Sequence, residues 1–146
     1  RSLNKRLVPK GLCLLPMRYQ GNRALLYLYR PRCLRRDLTN DLATEVLSGA
    51  GYQGKSCEQC VARLMHRLRE GQEFPHEVGL FLSYPPEDVK GFIDNKAENF
   101  KCAGLWKVYG DEKRARELFA RYKRCTDIYC ALWRAGSSIE QLAVPV

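Results

Sequence analysis

The chain has 146 residues, 45% of them hydrophobic and 28% charged, a balance that excludes disordered, collagen-like and low-complexity classes. A chain of this length buries roughly two-thirds of the surface it exposes when unfolded, so it can hold a core without a metal or disulfide as an obligatory staple. The formal charge is +9 and sits at one end: Arg1, Lys5, Arg6, Lys10, Arg18, Arg23, Arg30, Arg32, Arg35 and Arg36 all precede the first carboxylate, Asp37, whereas the other 15 basic residues face all 16 acids.

In chain order, Leu12 to Arg18 and Ala24 to Arg30 read as two antiparallel strands around the turn chemistry of Gly21-Asn22, with Pro31 ending the second. From Leu34 the apolar positions Leu38, Leu42, Val46 and Leu47 recur at helical spacing until Gly49 to Gly51. A second helix is predicted from Ser56 to Gly71, with Cys57, Cys60, Val61, Leu64, Met65 and Leu68 as its inner stripe. Val78 to Tyr84 reads as a third strand that Pro85 and Pro86 terminate, followed by a helix over roughly 86–95. Gly104 to Tyr109 reads as a fourth strand. Asp111 then caps a long helix whose inner face is Ala115, Leu118, Phe119, Tyr122, Cys125 or Thr126, Tyr129, Leu132 and Trp133, and Gly136 ends it. Ser137 and Glu140 have capping-box spacing for a last short turn. The sum is one α+β domain over residues 1–146: a small, mostly antiparallel sheet of about four strands with helices packed on it.

Seven cysteines, an odd number, do not make a secreted disulfide framework. No apolar run reaches the length of a membrane span and no leader pattern opens the chain, so a cytoplasmic protein with reduced thiols is predicted. Because the chain starts at Arg1 without a methionine, an N-terminal segment is expected to be missing.

Candidate chemistry is sparse. His76 beside Glu77 suits acid/base work or a corner of a metal site, yet adjacent residues of an extended chain point to opposite faces. Cys57-Glu58-Gln59-Cys60 is a C-x-x-C at a helix start, where the dipole favours a thiolate, but it follows a loop rather than a strand and both thiols fit the apolar stripe. Cys102, Cys125 and Cys130 do not complete a second metal knuckle, and the last two lie about 140° apart on one helix. Trp106, Lys107 and Tyr109, at a strand-to-helix junction, offer a cation and flat rings for an anionic planar ligand, although a capping Asp111 already occupies the amides there. No phosphate-binding glycine loop, nucleophile elbow or H-E-x-x-H is present.

Two stretches carry a resemblance: Phe74-Pro-His-Glu-Val-Gly-Leu-Phe-Leu-Ser-Tyr-Pro-Pro-Glu-Asp-Val-Lys-Gly-Phe-Ile93, and Cys102-Ala-Gly-Leu-Trp-Lys-Val-Tyr-Gly-Asp111 with Phe119, Tyr122, Cys125, Thr126 and Tyr129 beyond it. Together with Arg23-Ala-Leu-Leu-Tyr-Leu-Tyr-Arg-Pro31 they resemble, over the whole chain, an uncharacterised bacterial family found largely in anaerobes. The resemblance brings no established activity. It implies an opening Cys-Ala-Pro-Thr-type segment, absent here, and a genomic association with flavodoxin-type proteins.

Three functions compete. The first is a binding or accessory protein in redox or metal metabolism. Its arginines Arg18, Arg23, Arg30, Arg32, Arg35 and Arg36 would form one exposed surface for an acidic, flavodoxin-like protein or an anionic small ligand. The second is nucleic-acid binding, with Tyr19, Tyr27 and Tyr29 stacking on bases. The third is a small enzyme centred on His76 and Lys107. No cofactor, metal set or catalytic set is assigned. Any ligand site is predicted where the two motif stretches meet, around His76, Glu77, Trp106, Lys107 and Tyr109.

Overall fold

The computed structural model describes residues 2–144. After a short helix α1 (Ser2–Leu7) and a 3₁₀ turn (Val8–Lys10), the predicted hairpin forms from β1 (Cys13–Gln20) and β2 (Arg23–Tyr29). Its two-residue turn places Gly21 at φ 54°, where a glycine carries no steric cost. Cys13 pairs with Tyr29 and Gln20 with Arg23, and a bulge between Pro16 and Arg18 shifts the register. Pro31 opens α2 (Pro31–Leu38), because its fixed φ suits the first helical turn.

The single helix expected from Leu34 onward is two helices. Asn40 interrupts it, its side chain accepting the Leu42 and Ala43 amides, and so starts α3 (Asp41–Gly49) afresh. The next helix, α4 (Cys57–Glu70), begins where the sequence placed it, with a full capping box between Ser56 and Gln59. Cys60, Val61, Leu64 and Leu68 are buried on its inner stripe, and Cys57 and Met65 pack at its edge. The main core gathers these residues with Met17, Tyr27, Leu34, Leu47, Tyr52, Leu80 and Phe81.

The predicted third strand is a helical turn, α5 (Val78–Phe81). Gly79, Leu80 and Phe81 are buried in succession, without the alternation of a strand. An apolar run this short has no periodicity to separate a strand from a buried turn. The backbone settles it locally, Val78 N–H donating to Pro75 C=O and Tyr84 N–H to Gly79 C=O. Pro86 then opens α6 (Pro86–Asp94).

The expected fourth strand shrinks to β4 (Lys107–Val108), paired antiparallel with β3 (Cys102–Ala103). The molecule is therefore α+β, but with two separate two-stranded antiparallel sheets instead of one of about four strands. The long helix α7 (Glu112–Arg134) starts at the Asp111 cap. Only Ala115 on it is buried, with Leu118 and Phe119 packed in a second small core around Trp106 and Val108. Beyond Tyr122 the predicted inner face is exposed. The final capping box lies one residue later than expected, on Ser138 and Gln141, and starts α8 (Ile139–Leu142). No helix among the described residues is long and apolar enough to cross a membrane.

An aromatic cleft as candidate functional site

The two motif stretches meet at a buried carboxylate. Asp88, in the first turn of α6, accepts the indole N–H of Trp106 at 2.7 Å and the backbone amides of Tyr109 and Gly110 at 2.8 Å each. Removing an aspartate from water costs free energy unless its lone pairs are met, and three donors meet them here. Trp106 is then fixed on its other sides. Its ring stacks on Tyr84 at 4.7 Å and meets Phe119 edge-on at 4.6 Å. Gly104 lets Phe119 approach so closely, since a Cβ there would stand 2.4 Å from the phenyl ring.

In front of this rigid indole opens a cleft of about 400 Å³, walled by Val78, Val89, Phe92 and Ala103, with Phe74, His76 and Leu105 at its mouth. That volume lies within the range of small-molecule sites, which are apolar with a few polar groups. The imidazole of His76 sits between Phe92 and Phe74, at 5.1 and 5.6 Å, and makes no hydrogen bond among the described residues.

Of the five predicted ligand residues, His76, Trp106 and Lys107 line this cleft. The Lys107 ammonium, however, donates to the Ala97 carbonyl at 2.7 Å and lies 4.6 Å from the centre of the Phe100 ring. Tyr109 also turns away, its hydroxyl donating to the Glu98 carbonyl at 2.8 Å. Both side chains therefore hold the segment in which Lys96, Ala97 and Asn99 take positive φ of 49°, 65° and 57°, a region that non-glycine residues occupy at a cost. Glu77 is elsewhere. Buried to 3% exposure, it accepts from Arg67 at 2.6 Å and from the Tyr52 hydroxyl at 2.7 Å. Burial, reinforced by that bond to Glu77, pushes the Tyr52 phenol well above its ordinary range. Of the His76–Glu77 pair only His76 reaches this cleft; the two share a second cavity with Arg67, where the Glu77 carboxylate is held by Arg67 and Tyr52.

The predicted arginine surface is uneven. Arg35 pairs with Glu58 at 2.6 Å, Arg36 with its neighbour Asp37 at 3.0 Å, and Arg30 donates to the carbonyls of Lys10 and Val144. Arg18, Arg23 and Arg32 are exposed and have no carboxylate partner among the described residues. Tyr27 is buried with its hydroxyl on the Phe81 carbonyl, and Tyr29 stacks on it at 4.5 Å, so of the three hairpin tyrosines only Tyr19 presents a free ring.

Cys57 and Cys60 are free thiols, and burial, ahead of any charge, pushes both upward from the ordinary thiol range. This opposes the thiolate chemistry that a C-x-x-C at a helix start would invite. Among the described residues no three His, Cys, Asp or Glu side chains are grouped to hold a metal ion.

Sequence reasoning missed Asp88, Tyr84 and Phe92. A tryptophan inside a motif needs a partner for its N–H once buried, and an aspartate in the other motif was the signal available.

The fold is α+β, with an aromatic cleft beside Trp106. The chain belongs to the family described as protein of unknown function DUF3793, whose model matches residues 1–143. No curated protein and no solved structure matches it.

Proposed function

We propose that this domain is a binding protein that receives a flat aromatic small molecule in the cleft beside Trp106, and an acidic partner protein on its arginine-bearing hairpin. The observation that carries the first part is the immobilised indole. Trp106 is held by Asp88, Tyr84 and Phe119, so a ligand laid in the cleft meets a wall that needs no reorganisation, which lowers the cost of binding. His76 at the mouth is the polar group free to orient the ligand or meet an anionic substituent. A catalytic alternative centred on His76 and Lys107 has less support, because Glu77 and the Lys107 ammonium are both committed to structural partners. The nucleic-acid alternative has less support too, since Tyr27 and Tyr29 are folded against the body.

Calorimetric titration with flavin mononucleotide, a flat ring with an anionic tail, and with riboflavin, the same ring without it, tests the cleft. Saturable binding of either, weakened at least tenfold in His76→Ala or Phe92→Ala, is the expected result. Unchanged binding in both folded variants removes the cleft from the account.

A further inference from the structure

The two edges of the N-terminal hairpin are treated differently. On the β1 side the edge is closed by side chains. The Asn4 amide donates to the Leu14 carbonyl at 2.8 Å and its oxygen accepts the Leu14 N–H at 2.9 Å, reproducing what a neighbouring strand would supply. Further along, Arg69 donates to the carbonyls of Met17 and Pro16 at 2.7 and 3.1 Å, and Pro16 itself has no N–H to offer.

These contacts fix the parity of the ladder. Leu14 turns its backbone groups away from β2, so its cross-strand partner Leu28 turns its own away from β1, and along an unbulged strand Leu26 and Ala24 follow. The outward N–H and C=O groups of Ala24, Leu26 and Leu28 have no partner among the described residues, and Leu26 and Leu28 are 54% and 52% exposed. A two-stranded hairpin is marginal alone, and an open apolar edge is a template for another strand.

We propose that the β2 edge binds an extended acidic segment of a partner protein by strand addition. This deepens, and rests on, the acidic-partner half of the function proposed above. Charge selects the occupant. Arg23 on β2 and Arg18, which is paired with Leu25, are exposed on one face of the hairpin tip and lack carboxylate partners, while no acid occurs before Asp37. A second copy paired antiparallel about Leu26 would set Arg23 opposite Tyr29 and bring no acid to either arginine. An incoming strand with acids on the Arg18/Arg23 face and apolar residues beside Leu26 and Leu28 satisfies both faces at once, because side chains alternate along a strand.

The test uses a short synthetic peptide alternating glutamate with valine, with the lysine–valine peptide as control, and reads amide hydrogen exchange residue by residue. The glutamate peptide is expected to slow exchange at Ala24, Leu26 and Leu28 at least tenfold and leave the inward amides of Leu25 and Tyr27 unchanged. The lysine peptide is expected to do nothing. Leu26→Pro, which removes an outward donor and no rung of the β1–β2 ladder, should abolish the protection while the hairpin cross-peaks remain. Binding that is lost in Arg23→Glu but gives no alternating protection overturns strand addition and leaves the acidic-partner function standing. No binding at low salt overturns both. Alternating protection that appears without peptide as protein concentration rises overturns the acidic occupant in favour of a second copy.

Discussion

Asp88 shows how much one side chain can carry. It ties the indole of Trp106 and the amides of Tyr109 and Gly110 to the start of α6, so both walls of the cleft depend on it. Asp88→Ala leaves a buried indole N–H and two half-buried amides without their acceptor, and we predict a loss of about 3 kcal/mol in urea unfolding, with a change in Trp106 emission before global unfolding. The thiols give a second residue-scale prediction. Cys125 and Cys130 are exposed, whereas Cys57 and Cys60 are shielded and shifted upward. Mass-resolved alkylation near neutral pH should label the first two at least tenfold faster than the second two. Equal rates would place the C-x-x-C outside the α4 packing stripe. The inward stripe was legible from spacing alone. His76 and Trp106 line one cleft, but not through neighbouring strands as expected, because Val78–Phe81 is helical and Lys107–Val108 pairs with Cys102–Ala103. What Lys107 and Glu77 do was not legible, because a sequence shows a charge without showing the carbonyl or guanidinium that consumes it.

At the scale of elements, the parts that were legible are those whose ends are set by local chemistry. Ser56 with Gln59 and Asp111 with the Arg114 amide mark helix starts by hydrogen bonds between residues three apart. The hairpin is marked by its turn. Val78 to Tyr84 was not legible, since its fate depends on Val89 and Tyr84 closing over Gly79, where a Cβ would meet them at 2.8 and 3.1 Å. The far half of α7 was misplaced for a related reason: periodicity names an apolar face but not what covers it. Ser56→Ala should cost about 1 kcal/mol. Trp133→Phe, at an exposed position on α7, should stay within about 0.5 kcal/mol of the parent, whereas Phe119→Ala, against Trp106, should cost about 2 kcal/mol. Chemical denaturation measures all three. A large loss at Trp133 would mean that the far half of α7 is covered.

For the whole molecule, the core holds protons that the unfolded chain would release. Tyr27 is raised by burial and then by the neighbouring Tyr29, Cys57 and Asp37, Tyr52 by burial and its hydrogen bond to Glu77, and Cys57 and Cys60 by burial. A group whose folded pKa exceeds its unfolded value contributes stability that is whole below the unfolded value and is lost as pH rises above it. With unfolded thiols near about 8.5 and phenols near about 10, the melting temperature should hold from neutrality to about pH 8.5 and fall steadily above it. A flat profile through pH 11 would contradict the buried hydroxyls and thiols.

The cleft is tested most directly by its own tryptophan. With Trp133→Phe, Trp106 becomes the sole indole, and it lines the cleft. Titration of that protein with flavin mononucleotide, riboflavin and anilinonaphthalene sulfonate, followed by Trp106 emission, is to be repeated with Ala103→Phe added to fill the cleft. Saturable quenching by at least one probe, lost when Ala103 is replaced, is the predicted result. Quenching that never saturates, or that survives the filled cleft unchanged, would contradict a ligand site beside Trp106.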